Sequence, residues 1–142
     1  MLTGMERTAS AVWSGGLKDG KGKVSTGSGG LKDASYSFTT RFENGGGTDP
    51  EELIAAAHSA CFSMALSNGL ATAGTAPTSL DTSADVEFTP GKGITGIKLT
   101  VRGVVEGMSN EDFVTAAEGA KANCPVSQAL TGTTITLDAA LS

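Results

Sequence analysis

Apolar and polar positions alternate weakly from Thr8 to Trp13, which predicts a first strand ending in Ser14-Gly15-Gly16, and a second short strand is predicted over Gly22 to Thr26 between glycine-rich turns. Ser35 to Phe42, SYSFTTRF, alternates at period two and reads as a third strand, with Tyr36, Phe38, Thr40 and Phe42 on one face and Arg41 on the other. The glycine run Gly45-Gly46-Gly47 leads into the longest apolar stretch of the chain. There Asp49 suits a helix N-cap, Pro50 the first helical position, and Glu52, three residues after Asp49, completes a capping-box pattern. From Leu53 to Leu66 no continuous polar face remains, so the pattern predicts a central helix covered all round and stopped by Asn68-Gly69.

Ala71 to Ser79 is a small, polar, proline-containing connection and the natural seam between two halves. Leu80 to Phe88 and Ile94 to Val105 form long strands joined by Pro90-Gly91-Lys92-Gly93, a predicted hairpin. Ser109 opens a second helix running to about Asn123, with Phe113, Val114, Ala117 and Ala120 as its apolar stripe. Pro125, directly after Cys124, ends that helix and opens a short one over Val126 to Leu130; Thr133 to Leu141 is a final strand. The order is β-β-β-α, then β-β-α-α-β, an α+β chain. At 142 residues it is expected to be a single domain, 1–142.

Charge changes the picture mainly by exclusion. A net charge of -5, with ten Lys and Arg scattered along the chain, leaves no basic stripe for phosphates, so nucleic acid is not an expected partner. No apolar run near the N-terminus resembles a signal peptide, and the central helix carries Glu51, Glu52 and His58, which argues against a membrane span. A cytoplasmic protein is expected. In a reducing compartment Cys61 and Cys124 are better read as working thiols than as a permanent staple, with buried inert thiols as the alternative that cysteine count leaves open.

A thiol attacks peroxides and disulfides as thiolate, so the chemistry of Cys61 depends on what lowers its pKa. The helix N-terminus is about 15 Å away at about 1.5 Å per residue, too far to help. Arg41 is the nearest cation in sequence, and its planar fork can hold a carboxylate while facing a sulfur. Glu51 is a credible carboxylate for that fork. It lies nearly three turns from Cys61 on one helix, so the Arg41 and Glu51 pair would have to reach Cys61 across a subunit contact. Cys124 stands at a helix break, where a second thiol could condense with an oxidised Cys61; the spacing alone does not establish this. His58, the sole histidine, lies three positions before Cys61 and reads first as a packing or hydrogen-bonding residue, since one His and two Cys do not complete a zinc set. Phe62 and Met64 read as core first and as part of an apolar pocket second.

These residues resemble the OsmC (osmotically inducible protein C) family, within the group that includes organic hydroperoxide resistance proteins (Ohr). The matching strings are Gly20-Lys21-Gly22-Lys23-Val24-Ser25-Thr26, Thr40-Arg41-Phe42-Glu43, the run from Gly47 to Leu66 containing PEELIAAAHSACFSMAL, and Asn123-Cys124-Pro125-Val126-Ser127. One departure is Asp49 where the family often has Asn; both cap helices well. The resemblance implies an OsmC-like fold in which antiparallel sheets wrap a long central helix, assembled as an intertwined homodimer. It implies a thiol-dependent peroxidase that reduces organic hydroperoxides, and hydrogen peroxide less well, with Cys61 as peroxidatic and Cys124 as resolving cysteine, and Arg41 held by Glu51 as thiolate activator. No metal, haem or flavin is implied, and the reductant would be a dithiol such as a dihydrolipoyl protein. A non-catalytic redox sensor with the same thiols is the alternative, and a fold relative with inert cysteines a third; turnover separates the first two.

Overall fold

The computed structural model describes residues 4–43 and 46–142, so Gly45 of the predicted glycine run lies outside the described residues. The chain divides into two units, Met1–Pro50 and Glu51–Ser142, with the boundary at the start of the long helix and not at the 71–79 connection expected as the seam. The reason lies in packing: the long helix buries its stripe in the core of the second unit, so it belongs with the strands and helices C-terminal to it.

In the first unit, β1 (Ala9–Ser14), β2 (Lys21–Thr26) and β3 (Ala34–Tyr36) form an antiparallel sheet in that order. The third strand stops after three residues, and the segment expected to continue it is helical: α1 spans Phe38–Phe42. Ser37 is its N-cap, with its hydroxyl accepting from the Thr40 amide at 3.3 Å while its own amide donates to Thr40 Oγ1 at 2.7 Å. This reciprocal cap satisfies two backbone donors that a strand would have had to pair elsewhere. Phe38 and Phe42 then meet as an i, i+4 pair with ring centroids 4.6 Å apart. A spacing of four fits both a strand face and a helix face, and the cap decides between them. The expected separation of Arg41 from these aromatics is therefore corrected. Its guanidinium carbon lies 5.6 Å from the Phe42 ring centroid, within cation-π range.

The second unit is built on α2 (Pro50–Thr72), the hairpin of β4 (Ser79–Thr89) and β5 (Gly93–Val104), α3 (Asn110–Asn123), α4 (Pro125–Ala129) and β6 (Ile135–Leu141). β4 and β5 pair antiparallel, whereas β6 pairs parallel to β5, so α3 and α4 form the crossover that a parallel pair requires. Ser109 caps α3, accepting from the Asp112 amide at 3.1 Å. Ile97, Leu99 and Val101 alternate along β5 with one face buried, and Phe113, Ala117 and Ala120 of α3 pack into the same core.

Two expectations for α2 are corrected. The helix runs past Asn68-Gly69 to Thr72. Leu70 is wholly buried in the core, and its burial outweighs the cost of about 1 kcal/mol for a helical glycine. The stop comes at Gly74, where φ is +93°. There the amide of Thr75 bonds the carbonyl of Leu70 at 2.8 Å and that of Gly74 bonds Ala71 at 3.0 Å, a Schellman motif that needs the left-handed conformation glycine adopts freely. Nor is α2 covered all round: His58, Phe62, Leu66 and Leu70 form one buried stripe at a spacing of four, while Met64 is 74 % exposed. Its many alanines make the helix apolar without requiring burial. By length and composition α2 could cross a bilayer, but its stripe closes this protein core.

Candidate active site

Cys61 projects from the middle of α2, half-buried, and packs against the core that contains Cys124, which is fully buried at the junction of α3 and α4. Both are free thiols, and they lie near enough to shift each other's acidity in opposite directions. The backbone explains why they meet. Pro125 cannot continue α3 and instead starts α4, so the chain turns at Cys124 and leaves its side chain in the core facing α2.

The two sulfurs have unequal acidity. Burial pushes the Cys61 thiol up, and the neighbouring Cys124 pushes it further; the Val126 amide offsets part of this. At Cys124 burial also disfavours the anion, but it is outweighed by the neighbouring polar hydrogens of Cys61, of Ser127 and of the Val126 amide, which together hold the thiol below its ordinary value. No hydrogen bond of capping geometry joins the Cys124 side chain to α4; the amides of Val126 and Ser127 favour its charge from nearby.

His58 lies one turn before Cys61, wholly buried, with Nε2 2.7 Å from the hydroxyl of Ser127. Burial lowers its pKa, which keeps the imidazole neutral. Ser127 was not singled out in the sequence, although its place one turn after Cys124 in the Cys-Pro-Val-Ser string was the available signal. Among the described residues no cluster of three or more His, Cys, Asp or Glu is placed to hold a metal ion.

Glu51 sits in the first turn of α2 and is buried to 7 % exposure. Arg41 belongs to the first unit, where it lines an apolar cavity of about 290 Å³ with Trp13, Leu17, Tyr36, Phe38 and Phe42. Trp13 and Tyr36 are strand residues, as expected, and their ring centroids lie 5.5 Å apart in the same wall. Phe62 is core, while Met64 lines an open surface groove with Ser63, Ser67 and Ala71.

Two free thiols placed together in one core define a thiol-based redox protein. Residues 43–138 match the family model described as OsmC-like protein. The chain is 50% identical over 137 residues to Peroxiredoxin OsmC of Escherichia coli (strain K12), covering 94% of this chain and 95% of that protein. Among solved structures, the organic hydroperoxide resistance protein OsmC of Legionella pneumophila is 27% identical with a TM-score of 0.68, covering 94% of this chain and 96% of that one. An organic hydroperoxide resistance protein from Elizabethkingia anophelis shares the fold at a TM-score of 0.75 and 24% identity, covering 99% of this chain and 100% of that one. The chain belongs to the OsmC-like family and is a cysteine-based peroxidase.

Proposed function

We propose that the protein reduces organic hydroperoxides to alcohols, and hydrogen peroxide less well, through a disulfide cycle of Cys61 and Cys124. The observation that carries this reading is the placement of the two free thiols together in one core, each shifting the acidity of the other. The Cys61 thiolate attacks the distal peroxide oxygen, the O–O bond breaks, and the alkoxide leaves and takes a proton to become the alcohol. Cys61 is then a sulfenic acid. Cys124 attacks its sulfur, the S–O bond breaks, and hydroxide leaves as the disulfide forms. A dithiol such as a dihydrolipoyl protein restores both thiols and is itself oxidised to a disulfide.

Within its own unit Cys61 is held above its ordinary pKa, so its activation calls for a cation from elsewhere. We assign that role to Arg41, held by Glu51, with Arg41 also donating to the peroxide oxygens as charge develops. The apolar walls around Arg41 suit an alkyl group better than water, which supports an organic substrate. We further place the 142 residues in one functional domain, in a homodimer of intertwined chains, as a soluble enzyme of the cytoplasm.

The test is continuous consumption of an organic and an inorganic peroxide with a dithiol present. Sustained turnover by the wild type, faster with the organic peroxide and lost in Cys61→Ser, is the expected result. A single oxidation without turnover would instead make the protein a redox sensor.

A further inference from the structure

Ser127 and His58 are two of the three buried polar or charged side chains among the described residues, and they bond to each other with Ser127 Oγ 2.7 Å from His58 Nε2. Ser127 stands one turn after Cys124, and its hydroxyl lies near enough to the Cys124 sulfur to favour its anion. His58 Nδ1, by contrast, is buried with no hydrogen-bond partner among the described residues. The imidazole is thus bonded to the one hydroxyl that neighbours the second thiol.

The direction of that bond follows from proton counting. A neutral imidazole has one N–H, on either nitrogen. On Nδ1 it would be a buried donor with nothing to donate to, whereas on Nε2 the orphan is an acceptor lone pair, which protein interiors tolerate more readily than an orphaned N–H. The Nε2–H form prevails and donates to Ser127 Oγ. A serine hydroxyl has a single proton, so with His58 occupying its lone pair that proton is turned toward Cys124.

We propose that His58 is a positioning residue for Cys124: acting through Ser127, it keeps the hydroxyl proton turned toward the Cys124 sulfur and so favours the thiolate that attacks an oxidised Cys61. The step itself is unchanged. The Cys124 electron pair forms the S–S bond, the S–O bond of the sulfenic acid breaks, and the departing hydroxide takes its proton from solvent, while His58 and Ser127 keep theirs. The use of this device in resolution rests on the reading of Cys124 as the resolving thiol, but its effect on Cys124 acidity does not.

The surroundings make the effect readable. The side chains packed into this core from β4 (Leu80, Ala84), β5 (Leu99, Val101), β6 (Ile135, Leu137) and α3 (Phe113, Ala117) are apolar. Among the described residues Cys61 is the titratable group that shifts Cys124 directly, and the proposal adds His58 through Ser127.

The experiment is alkylation of the reduced full-length protein with iodoacetamide across a pH series, with the Cys124 peptide quantified by mass spectrometry, in wild type, Ser127→Ala, His58→Phe and His58→Gln. Ser127→Ala and His58→Phe are expected to slow Cys124 alkylation at neutral pH roughly tenfold and to move its titration midpoint upward. His58→Gln, whose amide can donate to the same hydroxyl, is expected to keep most of the wild-type rate. An unmoved midpoint in Ser127→Ala, or a His58→Gln protein that behaves as His58→Phe does, overturns the proposal. If circular dichroism shows His58→Phe to be unfolded, Ser127→Ala and His58→Gln decide: a shift in the first with retention in the second supports it, and any other combination overturns it. Because alkylation needs no peroxide, these results stand whether or not the wild type turns over hydroperoxide.

Discussion

Cys61 packs against the core that holds Cys124, near enough that each sulfur shifts the acidity of the other. Burial is the larger reason that Cys61 resists ionisation, and the neighbouring Cys124 adds to it. Cys124→Ala removes the second contribution and leaves the first. Cys61 in that variant is expected to ionise at lower pH than in the wild type and to react severalfold faster with iodoacetamide at neutral pH. An unchanged or slower rate would show that the pair is not coupled in solution.

His58 links stability to pH. Its pKa in the folded state is depressed by burial, so below about 6.5 the unfolded chain takes up a proton that the folded chain refuses. The stability due to the neutral, buried imidazole is complete above that value and is lost as pH falls toward the lower folded-state pKa. Urea midpoints of the wild type are expected to fall from pH 7 to pH 5 by more than those of His58→Gln, which has nothing to titrate at that site. Parallel pH curves for the two proteins would contradict this.

Gly103 of β5 faces α3 so closely that a Cβ there would lie 2.6 Å from two ring carbons of Phe113, which is itself fully buried. Neither strand nor ring has room to yield. Gly103→Ala is expected to cost about 1–3 kcal/mol of stability, read from the midpoint of denaturant unfolding.

Arg41 and Glu51 carry the proposed activation of Cys61. Arg41→Ala is expected to slow peroxide consumption roughly hundredfold, the usual scale for losing one donor to a developing oxyanion. Glu51→Gln should do less, since it loosens the arginine without removing it. Wild-type rates in Arg41→Ala would remove Arg41 from the mechanism.

Local signals in the sequence marked most of the elements. Pro50, Ser109 and Pro125 mark the starts of three helices, and the alternation in 80–88 and 94–105 marks the hairpin, because caps and periodicity act over a few neighbouring residues. Where two local signals competed, reading one alone failed. The Ser37 and Thr40 cap overrides the alternation in 35–42, and burial of Leu70 carries α2 beyond Gly69. The parallel placement of β6 beside β5 depends on a crossover of two helices, which no local pattern records. The site divides in the same way: Cys61 and Cys124 were legible as a motif, but the bond from His58 to Ser127 spans 69 positions and becomes visible only once α2 and α4 are folded together.

The central claim is tested most directly by adding one equivalent of an organic hydroperoxide to the reduced protein, without reductant, and mapping the products by peptide mass spectrometry. The account predicts a Cys61–Cys124 disulfide in the wild type and a trappable Cys61 sulfenic acid in Cys124→Ser. Consumption of the hydroperoxide with both thiols still reduced, or with Cys61 oxidised while Cys124 stays free, would contradict it.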